Sequence, residues 1–214
     1  MSGKITDNLG RSSGLIKEAS GGGGGTSISD ADANTKIQVE ESSDENIIRF
    51  DTAGTEVMKI DANGIISKPL QPAFNVSPNP SSAQENIAFN SYVDITHGGT
   101  ERFDQNSDFA SSTFTAPISG KYLLVSRVQI DTVTQSYDYY ASSINTSNKR
   151  YFGWIWDTNE FSSDQNYTGF VDCVIADMDA SDTATAQIVI STTGSGSSAS
   201  DISFKSYFMG CLLV

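Results

Sequence analysis

Apolar and polar positions alternate with a period of two through most of the C-terminal two thirds of the chain. Tyr122, Leu124, Val128 and Ile130 alternate with Leu123, Val125, Arg127 and Gln129, and Val171, Cys173 and Ile175 face away from Asp172 and Val174. Ala184, Ala186, Ile188 and Ile190 form another row, and Ile202, Phe204, Phe208, Leu212 and Val214 a further one. A period of two is the signature of a β-strand with one face buried. Asn/Asp/Ser/Gly clusters separate the runs, and no stretch carries an apolar stripe of period 3.6. Residues 70–214 therefore read as an all-β jelly-roll sandwich, reached through Pro69, Pro72, Pro78 and Pro80, which enforce extended, non-helical backbone.

Upstream the pattern is shorter. Lys36-Ile37-Gln38-Val39-Glu40 alternates, and two four-residue runs follow, Ile47 to Phe50 and Val57 to Ile60. Each ends in an Asp-x-x-Gly turn, Asp51 to Gly54 and Asp61 to Gly64, where Asp accepts from the backbone ahead and Gly takes positive φ. Strands this few and short do not enclose a core in one chain. Residues 35–69 are thus expected to form a β-stalk made stable by three chains; hairpins docked on the following domain are the rival arrangement. Gly21 to Gly25 make 21–34 a flexible hinge. The polar segment 1–20 carries sparse apolar positions at Ile5, Leu9, Leu15 and Ile16, the candidate anchor residues.

Composition narrows the function. The chain has 214 residues, 13 Lys+Arg against 26 Asp+Glu, a net charge of −13 and only 18% charged residues, so its polarity rests on 32 Ser and 18 Thr. Without clustered Lys/Arg there is no counterion-release surface for nucleic acid. No apolar run is long enough for a membrane-spanning helix, and Met1 to Asp7 lacks the apolar core of a secretory signal. His97, the one histidine, sits in a turn-like Thr-His-Gly-Gly without a Gly-x-Ser-x-Gly elbow, and reads as a loop residue. Cys173 and Cys211 read as buried free thiols. Asp177, Asp179 and Asp182 read as a solvated turn, their spacing matching no calcium loop. Asn75, Asn145 and Asn166 head Asn-x-Ser/Thr triplets that a Ser/Thr-rich chain produces by chance. No catalytic residue, metal site or cofactor is expected, and the chain reads as a non-enzyme.

Two aromatic groups remain. Tyr151-Phe152-Gly153-Trp154-Ile155-Trp156 places Phe152, Trp154 and Trp156 on one face and Tyr151 and Ile155 on the other. That run packs on both faces or, alternatively, offers a platform for sugar rings. Tyr137, Tyr139 and Tyr140 lie in a polar, loop-like stretch and are the candidate receptor contacts, against the alternative that they cover a strand edge.

Phe114, Ala116-Pro117, Gly120 and Tyr122 are spaced as in the C1q/TNF-like globular head, and the chain ends on Phe208-Met209-Gly210-Cys211-Leu212, similar to that family's last strand. The resemblance covers about two thirds of the chain, with a Gly replaced before Asp182-Thr183. It implies a ten-stranded jelly roll packed as a tight homotrimer, with Phe114, Pro117, Gly120, Tyr122, Phe208 and Gly210 in structural roles. Residues 1–17 resemble the N-terminal peptide of structural proteins from tailed phages of marine bacteria, and Thr35 to Ser42 with Ile48 to Glu56 resemble the stalk of such fibres. Together these imply a virion protein assembled in the host cytoplasm: a homotrimeric fibre or spike mounted on capsid or tail proteins through its N-terminus. Its knob would meet a host-surface glycan or protein. The alternatives are a capsid head fibre or decoration trimer, and a secreted C1q-like lectin or signalling module.

Overall fold

The computed structural model describes residues 26–81 and 84–214, so the anchor positions Ile5, Leu9, Leu15 and Ile16 lie outside the described residues. The chain divides into two compact units at Pro69/Leu70.

The first unit is a five-stranded antiparallel meander in sequential order: β1 (Ser27–Ser29), β2 (Lys36–Gln38), β3 (Ile48–Thr52), β4 (Thr55–Ile60) and β5 (Ile66–Ser67). Backbone pairing thus closes within one chain. The second turn forms as its sequence requires: Asp61 Oδ1 accepts from the amides of Asn63 (2.8 Å) and Ile65 (2.9 Å), and Gly64 has φ +81°. The first does not. Asp51 stays in β3 and pairs with Lys36 at 3.3 Å, and the loop is the two residues Ala53-Gly54, both at positive φ.

This meander buries its polar face. Arg49 forks onto Glu45 (2.6 and 2.9 Å) and also meets Glu56 (3.0 Å), holding the Glu45 carboxyl down at about 2. The opposite face carries a registered row, Ile28, Ile37, Phe50 and Met58, beside Ile48, Ile60 and Ile66. Ile28 is 75% exposed and Ile66 60%. Among the described residues these strands pair within one chain, and much of the sheet's apolar face stays exposed.

The second unit is a sandwich of two antiparallel sheets. Its strands are β6 (Ala73–Ser77), β7 (Val93–Asp94), β8 (Thr100–Asp104), β9 (Phe109–Ala110), β10 (Thr113–Thr115), β11 (Gly120–Val133), β12 (Tyr139–Thr146), β13 (Arg150–Asp157), β14 (Gln165–Met178), β15 (Thr183–Ser191), β16 (Asp201–Ile202) and β17 (Tyr207–Leu212). One sheet runs β14-β11-β17-β6-β8 with β16 on β11, the other β13-β12-β15-β10-β9 with β7 on β15. Apart from the hairpins β9–β10 and β12–β13, neighbours in each sheet are not consecutive in sequence, which makes the unit a jelly roll rather than a meander. The only helical element among the described residues is a 3₁₀ turn, Thr158–Glu160.

Between the sheets, Phe74 stacks on Phe114 (4.7 Å) and Phe109 (5.2 Å) and meets Phe208 edge-on (5.1 Å). Each such pair adds about 1 kcal/mol beyond the area it buries. Tyr122 is fully buried, and its hydroxyl donates to the Ile118 carbonyl at 2.8 Å. Gly120 makes no turn, its φ being ordinary; a Cβ there would lie 2.5 Å from the Val214 carbonyl and 2.6 Å from Leu212, so glycine admits the chain end alongside β11. Gly210 is equally enclosed, by Leu124, Leu123 O and Phe74. Pro117 is exposed beyond the buried Ala116. The row drawn from Ile202 to Val214 breaks up: Ile202 and Phe208 are buried, but Phe204 is 52% and Val214 80% exposed.

Candidate functional site

The long strands β11 and β14 pair over their whole length, so their alternation sets two faces. The inward face carries Tyr122, Leu124, Val128 and Ile130 with Phe170, Ala176 and Met178. The outward face is also apolar, which sequence alternation alone cannot reveal. In register across the sheet run Ile175, Leu123, Cys211 and Ala73, and next to them Cys173, Val125, Met209, Asn75 and Phe103. Val171 is 49%, Ile175 59% and Phe103 50% exposed. Polar groups frame this face. At one end Lys121 pairs with Asp177 at 2.7 Å; at the other the Arg127 guanidinium donates to the Lys205 carbonyl and to Gln129. An apolar centre with a polar margin is the anatomy of a protein–protein interface. Cys173 and Cys211 stand on this face, exposed and half-buried respectively, not in the core.

A second feature lies where the edge strands β13 and β14 meet, in a cleft of about 420 Å³ lined by Tyr151, Phe152, Trp154, Asp172 and Cys173. The β12–β13 register slips between Ala141 and Ser143, so Gly153 and Trp154 form a bulge. The bulge resets the aromatic run. Tyr151 and Trp156 pack against the core, whereas Phe152 (67%), Trp154 (58%) and Ile155 (61%) are exposed. The strict alternation expected from sequence is thereby corrected: one extra residue reverses the phase after Gly153.

Beneath the bulge lies Asp172, 4% exposed. Burial raises its pKa, opposed by the Ser142 hydroxyl and by the Trp154 amide, which donates to Oδ1 at 3.3 Å. Its Oδ2 and the hydroxyl of Ser126, its neighbour across β11, have no hydrogen-bond partner among the described residues. A Cβ on Gly153 would fall 1.8 Å from Asp172 Oδ1. Gly153→Ala is therefore expected to cost about 1–3 kcal/mol as the bulge shifts. Adding Asp172→Ser should recover part of that loss, a coupling that thermal melts of the two single variants and the double variant measure.

The remaining sequence candidates fall as follows. Tyr140 is fully buried, its hydroxyl 2.8 Å from Ser200 Oγ and accepting from the Thr134 amide, so it has no surface to offer a receptor. Tyr137 is half-buried against Phe89, and Tyr139 half-buried on β12. The stretch read as a loop is largely strand, β12, in which Ser142, Ser143 and Thr146 are buried. His97 is 5% exposed and packs near Phe109 and Phe208, with ring centroids 6.4 and 6.0 Å away. Burial lowers its pKa to about 4, with a small opposing effect from the Ile95 backbone. The histidine does lie in a loop, between β7 and β8, as expected, but its ring is turned inward and buried. Asp182 accepts from the Asp179 amide and the Ser147 hydroxyl, both at 2.8 Å, which lowers its pKa and makes it the organiser of its turn. Among the described residues no three His, Cys, Asp or Glu side chains are grouped to hold a metal ion, and no helix is long and apolar enough to cross a membrane.

No family model matches the chain, and no curated protein matches it in sequence. Solved structures of similar trace include the globular domain of zebrafish complement 1qA protein, 16% identical over 67% of this chain and 98% of that one, TM-score 0.48. Murine APRIL is 14% identical over 67% of this chain and 99% of its own, TM-score 0.44. Eiger TNF from S. frugiperda is 11% identical over 67% and 93%, TM-score 0.48. The class defined here, an all-β jelly-roll sandwich, rests on the strand pairing itself.

Proposed function

We propose that the chain is a non-enzymatic, homotrimeric structural protein of a tailed phage, a fibre or spike whose jelly-roll knob is presented for attachment to a host surface. The observation that carries the reading is the outward apolar face of the β14-β11-β17-β6-β8 sheet, which a second and third copy of the chain would cover. The threefold count follows from the resemblance of Phe114 to Tyr122 to the C1q/TNF-like head, and the virion setting from the resemblance of residues 1–17 and 35–56 to phage proteins. The uncovered apolar face of the meander supports association as well. Three linked knobs turn weak surface contacts into avid ones through effective concentration.

Sedimentation of the full chain at micromolar concentration is expected to return three times the chain mass; a monomer would overturn the reading. Mass spectrometry of purified phage particles is expected to find the chain among the virion proteins, and its absence there would remove the phage assignment alone.

A further inference from the structure

The outer surface of the other sheet carries a cation that has no ion-pair partner among the described residues. Arg150 opens β13, and its guanidinium lies 3.8 Å above the centre of the Tyr92 ring. Its Nε donates to Gln187 Oε1 at 3.2 Å. Gln187 is itself held, donating to Asp94 Oδ1 at 2.8 Å, and the Thr185 hydroxyl donates to the same oxygen at 2.9 Å. The guanidinium is thus fixed by a stacked ring below and an amide at its inner edge. Among the described residues no carboxylate lies within ion-pair distance of it, although acidic residues outnumber basic ones two to one.

Beside it stands an aromatic surface. The Phe152 ring is 67% exposed and centred 6.3 Å from Tyr92, itself 36% exposed. Phe152 stands on this side by simple alternation from Arg150, opposite Ser143 in the register and just before the bulge at Gly153 and Trp154. Ser143 is fully buried and its hydroxyl has no partner.

From this geometry we infer that Arg150, Tyr92 and Phe152 form a recognition site for a carboxylated saccharide, a sugar acid displayed on a cell-surface glycan. The terminal nitrogens of a guanidinium fixed at Nε present a flat fork that matches a carboxylate in two hydrogen bonds. The exposed Phe152 ring offers a flat apolar surface for the C–H face of a pyranose, and a rigid ring costs little entropy to dock. A net charge of −13 repels polyanions at long range, so the charge complementarity is local and fits a glycan carrying single carboxylates rather than dense sulfation.

This deepens the attachment reading and rests on it, since three copies of a weak site are needed for firm attachment. The test is a glycan array carrying sialylated, uronate-containing, densely sulfated and neutral glycans, probed with the full chain and with Arg150→Gln, Arg150→Lys and Phe152→Ala. The wild type is expected to bind sialylated or uronate-containing spots. Arg150→Gln should lose roughly ten- to hundredfold in apparent affinity, the range set by charge-assisted hydrogen bonds. Arg150→Lys should recover only part of it, and Phe152→Ala should weaken binding with an unchanged melting temperature. Binding only to neutral or densely sulfated spots, binding to none, or equal binding by Arg150→Gln overturns the inference. Sedimentation of the same samples separates the two readings. A trimer that ignores carboxylated glycans overturns this site alone, and a monomer that binds them overturns the trimer alone.

Discussion

Val125→Lys combined with Met209→Lys is expected to convert the proposed trimer to monomers without unfolding the jelly roll. Both side chains lie half-exposed in one cross-strand row on the outward face of the β14-β11-β17-β6-β8 sheet, on the opposite side from the core residues Leu124 and Phe208. In a lone chain the lysines reach water and cost little. In an assembled face each is carried into an apolar contact without a counterion, at about 3 kcal/mol or more per copy. Two such charges in each of three chains exceed what an interface of ordinary affinity can absorb. Sedimentation at micromolar concentration should show a single monomeric species, whereas Thr115→Lys, exposed on the other sheet, should stay trimeric. The Cys173 thiol reports the same change independently. It is exposed in the isolated chain, so thiol reagents should modify it slowly in the wild type and quickly in the double lysine variant. A double variant that stays trimeric, with Cys173 reacting as fast in the wild type as in the variant, would show that this face is not the interface.

Acidification from pH 7 to pH 4 is expected to remove about 3 kcal/mol of stability through His97 alone. The ring is 5% exposed near Phe109 and Phe208, and burial lowers its pKa from 6.5 to about 4. A depressed pKa means that the fold favours the neutral form. Above pH 6.5 both folded and unfolded states are neutral and the contribution is complete. Below 6.5 the unfolded chain takes up the proton first, and stability falls until the folded ring also protonates near pH 4. Each tenfold in proton affinity is worth about 1.4 kcal/mol, which sets the size. Asp108 and Asp172, whose pKa values burial raises, act in the opposite sense, because the folded state protonates them more readily as pH falls. The measurement is therefore a difference: urea unfolding of the wild type and of His97→Phe across pH 4–7. The gap between the two curves should change by about 3 kcal/mol over that range, and a pH-independent gap would refute the assignment.

The strands themselves were legible in the sequence. The rows Tyr122 to Ile130 and Ala184 to Ile190 bury the residues that their period selects, because a long strand with neighbours on both sides has no freedom to change phase. The aromatic run failed for the converse reason. Its strand lies at a sheet edge, where a bulge costs little, and one extra residue at Gly153 turned Trp156 inward and left Trp154 exposed. Tyr140 was misplaced because its polar sequence neighbours Ser142 and Ser143 resemble loop residues, yet here they are buried in β12. Arg150 gave no signal at all. Its partners Tyr92, Asp94, Thr185 and Gln187 come from two other strands and the residue before one of them, and only the sheet order brings them together.

What the chain's residues determine without reference to the fold is the local chemistry: alternation, the Asp61 turn, the glycines and the sparse charge. Alternation is a property of consecutive residues and survives any arrangement of strands. The second surface of a sheet is not, since Val125, Cys173 and Met209 look like ordinary core positions until pairing shows the core already filled from the other side. Tertiary structure alone decides which of two apolar faces is enclosed by the chain and which is left for another molecule. The reason is physical: hydrogen bonds between distant strands fix register, and register assigns every side chain to one side or the other.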